Sequence, residues 1–147
     1  MKKLIIIASM FLVACTPKRD AIPTFWEQTP MQAQLAANLH ANEVGGVAYL
    51  VAPTGSMEPF ITGGDFIVVK PVPYSTVHVG MMANYQARWR PPTAPTVTHW
   101  AGAKLGDEWV MDGQANKHYE RDASQLMGEK EFRGQVIAIY TQRKGPK

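Results

Sequence analysis

The sequence contains few residues that could cross-link the fold or bind a metal. Its 147 residues include one cysteine, Cys15. A single cysteine excludes an intramolecular disulfide and any multi-cysteine zinc site. The histidines are too scattered to show metal-ligand spacing, so we expect neither a metal nor another cofactor. They are His40, His78, His99 and His118.

Charge and long apolar runs are also scarce. Charged residues make up 18% of the chain, and the formal net charge of +3 falls to +1 when Lys2 and Lys3 are left out. No basic cluster of the kind that binds nucleic acid is present, so we expect no nucleic-acid partner. The longest largely apolar run, residues 4–14, would rise about 16 Å as a helix, roughly half of a bilayer's hydrocarbon core.

The N-terminus has the three parts of a secretory signal. Lys2 and Lys3 supply positive charge, residues 4–14 are largely apolar, and residues 12–15 read Leu-Val-Ala-Cys. This segment resembles a bacterial lipoprotein signal. The resemblance implies that residues 1–14 are a signal peptide, that Cys15 is lipidated, and that the chain is anchored to a membrane on its periplasmic or other extracytoplasmic side. The alternative is an ordinary signal peptide or short anchor in which Cys15 is incidental.

The rest of the chain predicts a tether, one helix and a largely antiparallel β domain. Prolines interrupt residues 15–30, which we interpret as a tether. Met31, Leu35, Ala36 and Leu39 have helical spacing, which predicts an amphipathic helix over residues 31–42 that ends before Gly45. Short β-branched or aromatic runs predict strands at 47–52, 66–72, 80–88, 96–103, 108–112 and 135–140. The predicted fold is therefore mainly β with one N-terminal helix, and the domain spans residues 31–147.

Residues 53–59 contain the first candidate catalytic motif of the sequence and read Pro-Thr-Gly-Ser-Met-Glu-Pro. Together with the Gly-Asp and apolar strand of residues 64–69, this motif resembles the nucleophile motif of type I signal peptidases and LexA-like self-cleaving repressors. The resemblance implies their coiled β fold, a nucleophilic Ser56 and an oxyanion-stabilising hydroxyl on Thr54. The alternative for Thr54 is a turn residue that caps its own backbone.

A serine nucleophile needs a base, and His99 stands at the position that the resemblance assigns to it. His99 follows Ser56 by 43 residues, in the segment Thr-Val-Thr-His-Trp of residues 96–100. Histidine titrates near neutral pH, so it needs less desolvation than a lysine base. Lys70 and Lys104 are competing bases, although each is more typical of a solvated surface charge. The alternative for His99 is a core histidine that is bonded to backbone.

A catalytic histidine is usually oriented by an acceptor at its other nitrogen, and Asp112 is the first candidate. A two-residue hairpin at Gly106-Asp107 would place His99 opposite Gln114, with Asp112 diagonal to it on the same face. The endoplasmic-reticulum branch of the family has an aspartate where this chain has Gln114. Asp122 and Gln114 itself are the alternatives to Asp112.

These motifs predict a membrane-tethered serine endopeptidase that cleaves signal or leader peptides of exported proteins. The expected partners are a peptide or preprotein substrate and the membrane surface. Two alternatives are open. One is a catalytically inactive lipoprotein that binds peptides with the same fold, and the other is a leader or self-processing peptidase dedicated to one partner of a phage or conjugative element.

Overall fold

The computed structural model describes residues 18–27, 29–113 and 125–142. They form one sheet and one helix, so the predicted mainly-β fold with one helix is confirmed. The strands in chain order are β1 (Thr24–Glu27), β2 (Val47–Leu50), β3 (Phe66–Lys70), β4 (Met82–Tyr85), β5 (Val97–Leu105), β6 (Glu108–Asp112), β7 (Leu126–Met127) and β8 (Phe132–Gln142). The helix α1 spans Pro30–Val44 and precedes β2.

The sheet has the order β2-β3-β8-β4-β5-β6-β7, and β1 adds to β8 beside β4. All of these pairs are antiparallel except β1 with β8, which is parallel. The long β8 runs through the middle of the sheet and pairs with β3, β4 and β1. Among the described residues, no strand pairs with the outer edge of β2.

Capping interactions fix both ends of α1. The Thr29 side chain accepts a hydrogen bond from the Gln32 N–H at 3.2 Å, and the Gln32 side chain accepts one from the Thr29 N–H at 3.0 Å. This reciprocal capping box satisfies two of the free N–H groups at the helix start. Pro30 occupies the first turn, and Gly45 ends the helix in the left-handed region at φ 67°.

The buried face of α1 differs from the apolar stripe in the sequence. Ala33, Ala37 and Ala41 are buried and pack on the sheet, whereas Met31, Leu35 and Leu39 are all more than half exposed. Side chains of alanine let the helix axis approach the sheet closely, and residues spaced by four lie on one face of a helix. The predicted helix exists and ends before Gly45, but the apolar spacing that predicts it does not mark its buried face.

The N-terminal segment is also more ordered than the predicted tether. Thr24–Glu27 forms strand β1, and the Phe25 ring stacks on Tyr140 with a centroid distance of 4.8 Å. Before β1, the Asp20 N–H donates to the Gly80 carbonyl at 2.9 Å, and the His78 imidazole bonds Asp20. Prolines flank this strand and do not interrupt it, so the proline pattern is compatible with a strand there. The described part of the predicted tether is thus docked on the domain.

Two further clusters of buried apolar side chains support the polar residues of the next subsection. One lies on the side of β3 that faces away from α1, and the other lies around β4–β6. One contains Met57, Ile61, Ile67, Met82 and Trp100. The second contains Ala83, Tyr85, Ala101, Trp109, Met111 and Met127. In the described part of the chain, no helix has the length and hydropathy needed to cross a membrane.

The alanine face of α1 generates a stability prediction. Ala37 is fully buried, so Ala37→Leu overpacks the helix–sheet contact and should lower the free energy of unfolding by about 1–3 kcal/mol. The matched change on the exposed face, Leu35→Ala, should alter it by less than about 0.5 kcal/mol. Urea denaturation measures both. A larger loss from Leu35→Ala than from Ala37→Leu would contradict the observed orientation of the helix.

Candidate active site

Ser56 lies on a loop that joins β2 to β3 and folds back on itself. The loop is closed at its base by backbone hydrogen bonds from Val51 to Asp65 at 2.8 Å and from Gly64 to Val51 at 3.0 Å. Gly63 packs so closely against Pro53 that a side chain there would collide with it. Because its two ends are held together, the loop holds Ser56 in a fixed position relative to the sheet.

The residues beside Ser56 fix its direction. Gly55 adopts φ 71°, a left-handed conformation that favours glycine, immediately before the serine. After the serine, the Ile61 N–H donates to the Met57 carbonyl at 3.2 Å, and both of these side chains are buried. Met57 and Ile61 anchor the turn in the apolar cluster below it. Ser56 itself is half-buried, so its hydroxyl remains at the surface of the domain.

The structure brings Ser56 and His99 together. His99 Nε2 lies 3.3 Å from Ser56 Oγ, within hydrogen-bond range although the residues are 43 positions apart. His99 is on β5, opposite Ala83 of β4. A base must reach the proton that it removes, and this distance meets that condition. Thr54 Oγ1 lies 3.4 Å from Ser56 Oγ, so the two hydroxyls adjoin each other.

The other nitrogen of His99 contacts a residue that the sequence analysis did not identify. His99 Nδ1 lies 3.0 Å from the hydroxyl of Tyr85, which is 2% exposed. Tyr85 is opposite Val97, which lies two residues before His99 on β5. Tyr85 and His99 are therefore diagonal neighbours on the same face of the sheet. Burial raises the pKa of Tyr85 above its ordinary value, so the phenol is neutral at physiological pH. Tyr85 lies in the predicted strand of residues 80–88, and no local signal distinguishes it from a core residue.

Asp112 is not at His99, and this corrects the predicted orienting residue. The predicted hairpin register holds near the turn, where Lys104 pairs with Trp109. At Gly102 one extra residue bulges out of β5, and beyond it Trp100 pairs with Asp112. A shift of one residue moves a side chain to the other face of a sheet. Asp112 therefore shares a face with Trp100, and its carboxylate adjoins Gly102.

The remaining candidate site residues are either exposed at the surface or lie outside the described residues. Lys70 and Lys104 are exposed at strand positions and have no contact with Ser56 in the described structure. The ammonium of Lys104 lies over the Trp109 ring. Gln114 and Asp122 fall outside the described residues, as does Cys15.

The electrostatics of His99 follow from its burial. Burial lowers the pKa of His99 from 6.5 to about 4, and no charged side chain offsets the effect among the described residues. Desolvation disfavours the charged imidazolium, whereas a neighbouring carboxylate would favour it. The imidazole is therefore neutral at pH 7, which is the form that can accept the Ser56 proton.

An open cleft of about 360 Å³ begins at Ser56. One wall is formed by residues 49–52, which include the end of β2 and its continuation. The opposite wall carries Asn84 from β4, Thr96 and Thr98. An extended peptide could lie in this cleft and pair with the free edge of β2, as peptides do when they add a strand to a sheet.

The described residues contain no group of three histidine, cysteine, aspartate or glutamate side chains placed to hold a metal ion. Comparison with known protein families finds no matching family model. Comparisons with curated proteins and with solved structures likewise find no significant match.

Proposed function

We propose that this chain is a serine endopeptidase that cleaves an extended segment of an exported protein. The observation that carries the proposal is the 3.3 Å approach of His99 Nε2 to Ser56 Oγ beside an open cleft. A hydroxyl in reach of a neutral imidazole is the pairing that serine acyl transfer requires. The resemblance of residues 53–59 to the nucleophile motif of type I signal peptidases supports the same reaction.

In this mechanism Ser56 Oγ attacks the scissile carbonyl while His99 Nε2 takes the hydroxyl proton. The C–N bond then breaks, and the same nitrogen returns the proton to the leaving amine. Water, deprotonated by His99, hydrolyses the acyl-enzyme and regenerates Ser56. Thr54 Oγ1 is close enough to Ser56 Oγ to donate to the oxyanion that forms on the attacked carbonyl.

Tyr85 acts in this proposal as a positioning residue for the base. For Nε2 to accept a proton, the hydrogen of the neutral imidazole must reside on Nδ1, which then donates to the Tyr85 hydroxyl at 3.0 Å. The opposite arrangement, in which Tyr85 donates to Nδ1, places a hydrogen on Nε2 and blocks the reaction. A neutral phenol also stabilises the imidazolium less than a carboxylate would, in keeping with the lowered pKa of His99.

We further propose that Cys15 carries a lipid that holds the domain at the extracytoplasmic face of a membrane. The Leu-Val-Ala-Cys segment supports this location. Only Thr16 and Pro17 separate Cys15 from Lys18, whose carbonyl adjoins Gly80 on the domain. Three residues span at most about 11 Å, so such an anchor would keep the domain close to the bilayer.

One observation favours the alternative of an inactive peptide-binding protein. The Nδ1 partner of His99 is a phenol and not a carboxylate, and a phenol enforces the productive tautomer less strongly. In that case the cleft would hold peptides without cutting them. The variants below separate the two functions, because only the peptidase depends on the Ser56 hydroxyl.

Removal of either reacting group should abolish cleavage. Full-length protein in detergent is incubated with a set of secreted precursor proteins, and new product ends are identified by mass spectrometry. Ser56→Ala and His99→Ala should each lower the cleavage rate by about a thousandfold or more, since the nucleophile and base act as a unit. Lys70→Ala and Lys104→Ala are matched controls and should cleave normally. Loss of cleavage in a lysine variant but not in His99→Ala would assign the base to that lysine.

The pH dependence of cleavage should reflect the buried imidazole. Only neutral His99 accepts the serine proton, so kcat/KM should fall on the acidic side with a midpoint near pH 4 and not near 6.5. In the same range the unfolded chain binds a proton at His99 before the folded chain does, so folded stability declines as pH falls below 6.5. Circular dichroism at each pH separates unfolding from titration. An acidic limb at pH 6.5 in folded protein would contradict a buried base that has no charged partner among the described residues.

The role of Tyr85 should be visible in kcat. Tyr85→Phe removes the hydroxyl that receives the Nδ1 hydrogen, so kcat should fall by about tenfold or more while KM changes little. Tyr74→Phe is the matched control, because Tyr74 bonds the backbone carbonyls of Asp107 and Met127 away from Ser56. Steady-state kinetics at several pH values distinguishes the two variants. An unchanged kcat and an unchanged acidic limb in Tyr85→Phe would show that the phenol only fills space.

A further inference from the structure

The two walls of the cleft beside Ser56 differ in polarity. The wall from the end of β2 is lined by Tyr49, Leu50 and Val51, with the apolar Ile61 and Ile67 beside them. The opposite wall presents Asn84, Thr96 and Thr98. The signal-peptidase resemblance assigns roles to Ser56, Thr54 and His99, and it assigns none to Asn84, Thr96 or Thr98.

The polar wall is built by the β4–β5 register. Asn84 is directly opposite Thr98, and Thr96 lies two residues earlier on the same face of the chain. The Asn84 amide nitrogen donates to Thr96 Oγ1 and to Thr98 Oγ1, both at 3.0 Å. Two hydroxyls therefore use both N–H groups of this side chain and hold the plane of the amide in place.

The other half of this amide has no partner. Asn84 is 1% exposed, and within the described part of the chain no donor reaches its Oδ1 atom. A buried acceptor without a hydrogen bond costs about 1–3 kcal/mol, and such atoms are uncommon in folded proteins. Within the described residues, the lining of the cleft that contains Ser56 thus includes a residue with an unpaired acceptor, whose amide is held by two threonines.

We propose that Asn84 Oδ1, with the Thr96 and Thr98 hydroxyls, forms a specificity subsite for a neutral side chain that carries a hydrogen-bond donor. Serine, threonine, asparagine and glutamine have this chemistry. Each can donate to Asn84 Oδ1 and accept from a threonine hydroxyl. Because Ser56 lines the same cleft, the recognised residue lies near the scissile bond, and this inference rests on the proposed function.

Positive charge in the cleft disfavours lysine and arginine at this subsite. Arg90 lines the same cleft, where its Nη1 donates to the Pro95 carbonyl at 3.0 Å and its guanidinium lies over the Trp89 ring. A second cation in a small cleft would be repelled by this fixed positive charge. An apolar side chain would fit by size, but it would leave Asn84 Oδ1 buried and unpaired.

Peptide binding tests the subsite without requiring cleavage. A randomised peptide library is passed over immobilised full-length Ser56→Ala protein in detergent, and the retained peptides are sequenced by mass spectrometry. One position should be enriched about five- to tenfold in serine, threonine, asparagine or glutamine over alanine and valine, as one net hydrogen bond allows. The additional change Asn84→Leu should remove this enrichment. Thr98→Val should weaken it by releasing the amide, and it provides a second test if Asn84→Leu does not fold.

Thr76→Val is the matched control, since the Thr76 hydroxyl bonds the Pro73 carbonyl outside the cleft. It should leave the enrichment unchanged. The library is also digested with wild-type protein to test the peptidase separately. Polar enrichment without any cleavage would support the subsite and contradict the peptidase. Cleavage without enrichment would overturn the subsite and leave the peptidase standing, and failure to retain any peptide would also overturn the subsite.

Discussion

The proposed chemistry depends on the imidazole of His99, which lies between the hydroxyls of Ser56 and Tyr85. It needs two independent parts of the structure. The closed loop between β2 and β3 supplies the serine, while the β4–β5 register places tyrosine and histidine on one face. Distances of 3.3 and 3.0 Å at the two ring nitrogens leave the imidazole little freedom to rotate. The same register turns the alternate residues, Asn84 and Thr98, toward the cleft. One strand pairing thus positions both the proposed base and the polar residues of the cleft.

Among the described residues no carboxylate contacts His99, and for Asp112 the cause is local. The bulge at Gly102 shifts the β5–β6 register by one residue, and Asp112 consequently faces the side of Trp100. A neutral phenol at Nδ1 leaves the imidazole uncompensated by charge, so burial alone sets its pKa at about 4. A weakly basic imidazole is neutral over a wide pH range but is a poorer proton acceptor. In the proposed mechanism, His99 is thus a weaker base than an ordinary histidine, but it is in its proton-accepting form over a wider pH range.

Sequence patterns predicted what depends on local chemistry and missed what depends on packing between elements. Strand periodicity and turn residues identified β2–β6 and β8, and the family resemblance at residues 53–59 and 96–100 predicted Ser56 and His99, which lie within hydrogen-bond distance. The apolar spacing did not identify the buried face of α1, because burial followed the small size of residues such as Ala37 and not the hydrophobicity of Leu35. The predicted pairing of β5 with β6 was correct only between the turn and the bulge at Gly102. Tyr85 gave no signal, since its role arises solely from its cross-strand neighbour.

The tautomer of His99 is the most direct test of this arrangement. Nitrogen-15 NMR of protein labelled at histidine, with His99 assigned by its loss in His99→Asn, reports which ring nitrogen carries hydrogen at pH 7. If His99 is the base for Ser56, Nδ1 carries the hydrogen, Nε2 is unprotonated, and the ring gains a proton only near pH 4. A ring with its hydrogen on Nε2, or one that titrates near 6.5, would contradict the proposed Ser56–His99 chemistry.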